Sequence, residues 1–362
     1  MNTTLKPKVF VAMSGGVDSS VVAAILKNRG YETSGIFLNL GQINYKNALN
    51  AAKKVAKKIG IPQKTIDLRK KFKKEVIDYF LKGYSCGITP NPCIICNKKI
   101  KFRVVFDLMK KWKYDYLSTG HYVKKIKGIS GFELRVARDK NKDQSYFLYN
   151  LTQKQLAKLL FPLGNYTKDE VKKMAKKWRL KTLKRESHDI CFLAGEHGKF
   201  LRRHLKKIKR GEVMDINGNL IGFHDGLPFY TIGQRIGLGG GKIVPYYVVE
   251  KDAKRNILII ASKAEEKKFY KKEVVIKNIN WISGKSPDLK KVYKARIRYR
   301  QPLQTCRIIL LKTKNKKVAT WKRSHLSGNI LAKFAKPQRA VTPGQSLVLY
   351  DGQKLLGGGI IK

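Results

Sequence analysis

The sequence predicts an α/β protein: a helix-covered parallel sheet in residues 1–200, a small β-rich central unit in 207–270 and a β-barrel in 272–362. Three observations predict it. Apolar runs of strand length alternate with helical patterns through the first third of the chain. After about residue 207 the pattern changes to short β-rich runs divided by glycine turns, notably at 237–241. A Gly-Gly turn joins the first strand to the first helix, at a strand carboxyl end where parallel sheets receive ligands.

Strands are expected at 8–13, 34–39, 63–67 and 115–119, with helices over 18–29, 44–59, 69–83 and 98–113 between them. In the second helix Ala48, Leu49, Ala52, Val55, Ala56 and Ile59 recur at helical spacing, with lysines opposite. A further helix over 167–178, TKDEVKKMAKKW, opens with a threonine cap and an acidic first turn. Runs at 212–215, 219–223, 228–232, 245–250 and 256–260 build the central unit. Runs at 273–279, 292–299, 305–311, 317–321, 331–335 and 346–350 build the last one.

An apolar fraction of 43% can fill real cores, which excludes a globally disordered chain. The formal charge of +53 favours a polyanionic partner, nucleic acid first, although a biased base composition of the gene would raise lysine in the same way. Five cysteines in a chain of this length do not resemble a secreted disulfide framework. No apolar run reaches membrane-spanning length, and a strand starting at residue 8 leaves no room for a leader, so a reducing, cytoplasmic setting is expected.

Residues 14–20 read SGGVDSS. Gly15 and Gly16 let several backbone N–H groups converge, the following helix adds its positive end, and Ser14, Ser19 and Ser20 offer hydroxyls. Asp18 would repel a phosphate, so its expected role is to hold Mg²⁺. The loop lacks the lysine of GxxxxGK[ST], which disfavours transfer of a terminal phosphoryl group and favours release of pyrophosphate after attack at an α-phosphate. Residues 89–102 read TPNPCIICNKKIKF, where Cys93 and Cys96 form a CxxC before a helix expected to start at Asn97. A thiol there, among Lys98, Lys99 and Lys101, is expected to have a lowered pKa. A zinc reading of the CxxC stays open but needs two further ligands. Cys86 and Cys306 lack supporting context and read as structural.

The blocks SGGVDSS, TPNPCIICNKKIKF, STGHY (118–122), KDQSYFL (142–148), ESHDICF (186–192), GLPFYTIGQRIGLGG (226–240), RIRYRQ (296–301) and TPGQSLVLYDGQKLLGGGII (342–361) resemble, in order, those of the tRNA-specific 2-thiouridylases. The first block also resembles the pyrophosphate loop of the wider ATP pyrophosphatase superfamily. The resemblance implies an adenine-nucleotide α-hydrolase-like N-terminal domain, a small central domain and a C-terminal β-barrel. It implies ATP and Mg²⁺ as cofactors and tRNA as substrate, with the lysine, glutamate and glutamine acceptors as the tRNAs. It further implies a sulfur-relay protein or cysteine desulfurase as partner. The implied reaction adenylates O2 of the wobble uridine, releases pyrophosphate, and replaces the oxygen by sulfur from a cysteine persulfide.

Carried over by position, the resemblance makes Cys96 the nucleophile and Cys191 the persulfide bearer, the two ending as a disulfide. Ala12, Met13, Ser14, Gly15, Gly16, Val17, Asp18, Ser19, Leu38 and Gly120 would contact ATP. Asn91, Pro92 and Cys93 would line the target base. His121, Lys142, Asp143, Gln144, Arg298, Tyr299 and Gln345 would touch tRNA. Arg296, Arg298 and Arg300 alternate along an expected strand and so would share one face. Cys93 stands where some relatives have Asp, and LNLGQINYKN after Phe37 is shorter and less acidic than the family's usual insert. A different adenylating enzyme of this superfamily, of the lysidine type, is the alternative; it would not need the cysteine pair.

Overall fold

The computed structural model describes residues 6–183, 190–193, 195, 197–237, 245–311 and 328–362. The expected strand at 317–321, residues 186–189 and the glycines at 238–241 lie outside the described residues. In β1 (Lys8–Ala12) the residues Val9, Phe10 and Val11 are fully buried, so both faces of this strand need cover. It forms the middle of a five-stranded parallel sheet. Beside it lie β2 (Glu32–Asn39) and β3 (Gln63–Asp67) on one side, and β4 (Tyr116–Ser118) and Leu159–Leu160 on the other.

One face is covered by the helices Val17–Asn28 and Tyr45–Ile59, whose Val21–Leu26 and Ala48, Ala52, Val55 and Ala56 are buried. Against the other face lie two long helical segments. Each contains a π-helical turn, Lys73–Ile77 in the first and Asn97–Phe102 in the second. The second begins at Pro92, several residues before Asn97. Proline suits a first helical turn, and the Asn91 side chain caps it by accepting from the Ile94 N–H at 3.4 Å.

The central unit is a five-stranded sheet, with Gly211–Met214 parallel to Ile257–Ser262. The expected strand at 228–232 is instead a 3₁₀ turn, Leu227–Phe229; Gly226 turns the chain at φ +140° and Pro228 has no N–H for a ladder. The last unit closes into a barrel where the final strand, Lys354–Ile361, pairs with Lys271–Trp281. Its glycines are required there, because a Cβ on Gly357 would run into the Asn280 carbonyl and one on Gly358 into that of Leu347.

One hairpin departs from the expected division. Strands β5 (Lys124–Gly128) and β6 (Gly131–Arg135) lie within residues 1–200 in sequence, yet β6 pairs with Lys354 and Leu355 of the final strand. The C-terminal sheet therefore contains two strands from the N-terminal half of the chain. Among the described residues, no helix is long and apolar enough to cross a membrane.

Candidate active site

The strand order reverses at β1: the chain proceeds from it to β2 and β3 on one side, then returns to β4 on the other. The crevice beyond the carboxyl ends of β1 and β4 is thus the ligand position for such a sheet. Both glycine-bearing turns lie there. Gly15 has φ +80°, and a Cβ on it would collide with the Ala48 carbonyl oxygen. A Cβ on Gly120 would press on Asp18 and on the Ser19 nitrogen, about 3.1 Å from each. The Ser19 hydroxyl accepts from the Ser14 N–H at 3.1 Å and donates to the Gly16 carbonyl at 3.1 Å, which fixes the loop from within. Ser14 is exposed, Ala12, Gly16 and Val17 partly so; Met13 and Ser19 are buried and can meet a ligand through backbone groups alone. Leu38 is partly exposed at the end of β2.

Asp18 requires a correction. Its carboxylate, expected to hold Mg²⁺, accepts from Lys168 Nζ at 2.7 and 2.8 Å and from the Tyr122 hydroxyl at 2.8 Å. Both oxygens are committed, so the residues as placed do not fit a magnesium ion on Asp18. Lys168 is 7% exposed and is the first residue of the helix Lys168–Lys177, behind a Thr167/Glu170 capping box. The phosphate loop therefore has a lysine after all, supplied 150 residues downstream.

The thiols converge from two directions. Cys96 is buried in a cluster with Phe72, Phe80, Tyr84 and Ile100, and Phe192 and Leu193 pack into the same cluster. The Phe192 ring lies 5.8 Å from Phe72 and 5.4 Å from Phe80. Cys191 precedes these anchors and is exposed, within electrostatic reach of both Cys93 and Cys96. Upstream, the Leu183 N–H donates to the Gly15 carbonyl at 3.0 Å. The stretch that ends in Cys191 thus begins on the phosphate loop.

The expected low thiol pKa is also corrected. Burial pushes Cys96 up to about 12 and raises Cys93; Cys191 reaches solvent, yet the protein packed around it still pushes its thiol up to about 11, and Lys101 pulls all three down without prevailing. At neutral pH the thiols are protonated in the free protein. Burial holds His121 down at about 3, hence neutral, with Nδ1 2.7 Å from the Thr119 hydroxyl. Among the described residues no three His, Cys, Asp or Glu side chains form a metal-holding group.

The structure divides the residues expected at tRNA. Arg298 is exposed, with Nη1 donating to the Arg339 carbonyl at 3.0 Å, and Tyr299 packs on Phe147 at 4.5 Å. Lys142 is partly exposed. Asp143 is 3% exposed and accepts from Ala137 N–H and the Ser145 hydroxyl, so its side chain closes a turn and cannot meet RNA. Gln144 accepts from the Tyr122 N–H at 3.1 Å. Arg296, Arg298 and Arg300 do not share a face, because the strand stops at Arg296. Arg296 turns inward over Tyr350 towards Asp143, while Arg300 sits at φ +63° over Tyr299.

Gln345 is likewise committed within the protein: its Nε2 donates to the Thr89 carbonyl at 2.8 Å. Thr89 N–H donates to the Pro343 carbonyl at 2.9 Å, and its hydroxyl lies 3.4 Å from that of Thr231. The loop leading to Asn91, Pro92 and Cys93 is therefore clamped by both other units. Sequence reasoning missed this clamp and Lys168, since each joins residues too far apart for any local pattern to connect.

Three family models match the chain in succession: a tRNA methyl transferase HUP domain over 7–195, a tRNA methyl transferase PRC-barrel domain over 198–262, and an aminomethyltransferase beta-barrel domain over 271–361. The tRNA-specific 2-thiouridylase MnmA of Halothermothrix orenii is 43% identical over 371 residues, covering 98% of this chain and 99% of that protein. MnmA 2 of Caldanaerobacter subterraneus subsp. tengcongensis is 42% identical over 374 residues, covering 98% of each. MnmA 2 of Clostridium botulinum is 41% identical over 364 residues, again covering 98% of each.

Proposed function

This chain belongs to the tRNA-specific 2-thiouridylase family, and from that premise we propose that it replaces O2 of the tRNA wobble uridine by sulfur, using ATP. One observation carries the reading: the Phe192–Leu193 anchor holds Cys191 beside the CxxC helix, while the same stretch starts on the phosphate loop. That connection supports a reading in which an activating site and a thiol pair act together.

The chemistry then runs in three steps. Uridine O2 attacks the ATP α-phosphorus, forming the adenylate and expelling pyrophosphate. The loop N–H groups would offset the charge that develops, and Lys168, held on Asp18 beneath the loop, would add positive charge from behind it. Mg²⁺ would arrive bound to the nucleotide, adding positive charge there. The terminal sulfur of a Cys191 persulfide attacks C2, and AMP leaves with the former O2. The Cys96 thiolate finally attacks Cys191 Sγ and breaks the bond to the transferred sulfur, which stays on C2. The two cysteines end as a disulfide that an external dithiol must reduce. A partner that loads Cys191 with sulfur, of the relay or desulfurase kind, meets an exposed residue. The high thiol pKa keeps the pair protonated until base and adenylate enter, with Lys101 the nearby cation that favours ionisation.

Nucleoside mass spectrometry of tRNA after incubation with ATP, Mg²⁺ and a persulfide donor tests this. We expect 2-thiouridine from the native chain and none from Cys96→Ser or Cys191→Ser. Full product from either variant would refute the assigned chemistry.

A further inference from the structure

A cavity of about 490 Å³ lies where the three units meet, well apart in sequence from the phosphate loop. Its walls include Cys86 and Thr89 of the loop leading to the CxxC helix, Lys251 of the central unit, and Lys268, Tyr270 and Lys271 at the start of the barrel. Its volume falls within the range of small-ligand sites. The charge is one-sided: Lys251, Lys268 and Lys271 face a single lining carboxylate, Glu250.

Lys251 is the best-placed of the three. Its ammonium donates to the Tyr230 carbonyl at 2.9 Å and to no carboxylate among the described residues. Burial holds it down at about 8, so an incoming anion would find a desolvated cation whose charge it stabilises. Lys268 and Lys271 are exposed at the mouth, which leaves the ligand a way out to solvent on that side. A polymer that continues beyond the cavity fits this arrangement better than a fully enclosed small molecule. The partly exposed Tyr270 ring adds a flat surface for a sugar or base.

We propose that this junction cavity binds a phosphodiester of the tRNA, gripped by Lys251, Lys268 and Lys271. The proposal rests on the reading that the chain acts on tRNA. A phosphate seated there touches Thr89 and the Thr342–Pro343 turn that clamps it, so RNA binding bears directly on the loop that leads into the helix carrying Cys93 and Cys96.

Cys86 supplies the probe, since it is an exposed thiol in the cavity wall. In a Cys93→Ser/Cys191→Ser chain, Cys86 is the exposed cysteine left, Cys96 and Cys306 being buried. Its maleimide labelling is followed with no addition, with saturating tRNA, and with inorganic phosphate or a mononucleotide. Separately, the Lys268→Ala/Lys271→Ala chain is titrated with tRNA across a salt series. We expect tRNA to slow Cys86 labelling, and the double variant to lower the slope of log affinity against log salt by about 1 to 2. tRNA binding with unchanged labelling and unchanged slope overturns the site while leaving the proposed function intact. Protection by phosphate or mononucleotide but not by tRNA overturns it in favour of a small-anion site. Failure to bind tRNA at all overturns both readings.

Discussion

Replacing Lys168 by Met keeps a side chain of similar length and removes its charge. Lys168 is 7% exposed, and the Asp18 side chain it faces is 33% exposed. Removing one member of a buried pair strands the other's charge, at about 3–5 kcal/mol when both are fully enclosed. Water reaches a third of Asp18 and the Tyr122 hydroxyl remains, so about 2–3 kcal/mol is expected for Lys168→Met. For a unit of this size that corresponds to a fall in melting temperature of about 4–12 °C. Adding Asp18→Asn should recover much of the loss, with a coupling of at least about 1 kcal/mol in the double-mutant cycle. The catalytic readout is independent of stability. If the ammonium faces the leaving pyrophosphate, tRNA-dependent pyrophosphate release falls by about 10²–10³ while tRNA affinity is retained. Additive single effects would refute the coupling to Asp18, and pyrophosphate release within about threefold of the native rate in Lys168→Met would refute the catalytic role.

Three further predictions follow from other contacts. Gln345→Leu removes the donor to the Thr89 carbonyl, so kcat should fall about tenfold with tRNA Kd unchanged; weaker tRNA binding at unchanged kcat would make Gln345 a tRNA contact and refute the clamp. Phe192→Ala should lower stability by about 3 kcal/mol and slow diamide-driven Cys96–Cys191 disulfide formation; an unchanged oxidation rate would mean that Phe192 does not hold Cys191 in place. Cys96 titrates near 12 when folded, against about 8.5 unfolded. Its contribution is complete below the unfolded value and is lost as pH rises towards the folded one, because only the unfolded chain releases the proton in that window. Urea midpoints should therefore decline less steeply between about pH 8.5 and 11 in Cys96→Ala than in the native chain; parallel declines would contradict a buried, protonated Cys96.

Local pattern made the first sheet legible. Val9 to Val11, the alanine stripe of Tyr45–Ile59 and the Thr167 cap each encode their element within one turn or strand. The phosphate loop was legible for the same reason, since its glycines and hydroxyls are contiguous. What stayed hidden depends on distance or on compensation. The Lys124–Arg135 hairpin reads KKIKG and GFELR, charged enough to look like a loop until the barrel edge gives it a partner. The final strand contains three consecutive glycines, which weaken strand propensity yet are needed for close backbone approach. Thiol pKa was misjudged because sequence displays the lysines beside Cys96 but not the aromatic cluster that removes it from water. Arginine alternation misled because the strand ends at Arg296, before the pattern does.

The pairing of β6 with Lys354 and Leu355 has a consequence for how the molecule is made. A hairpin made by residue 135 must wait, edge exposed, until Lys354 and Leu355 have been translated. The same holds for Thr89, whose partners Pro343 and Gln345 also lie far downstream. Nascent chains thus carry an incomplete Thr89 loop until both partners have been made.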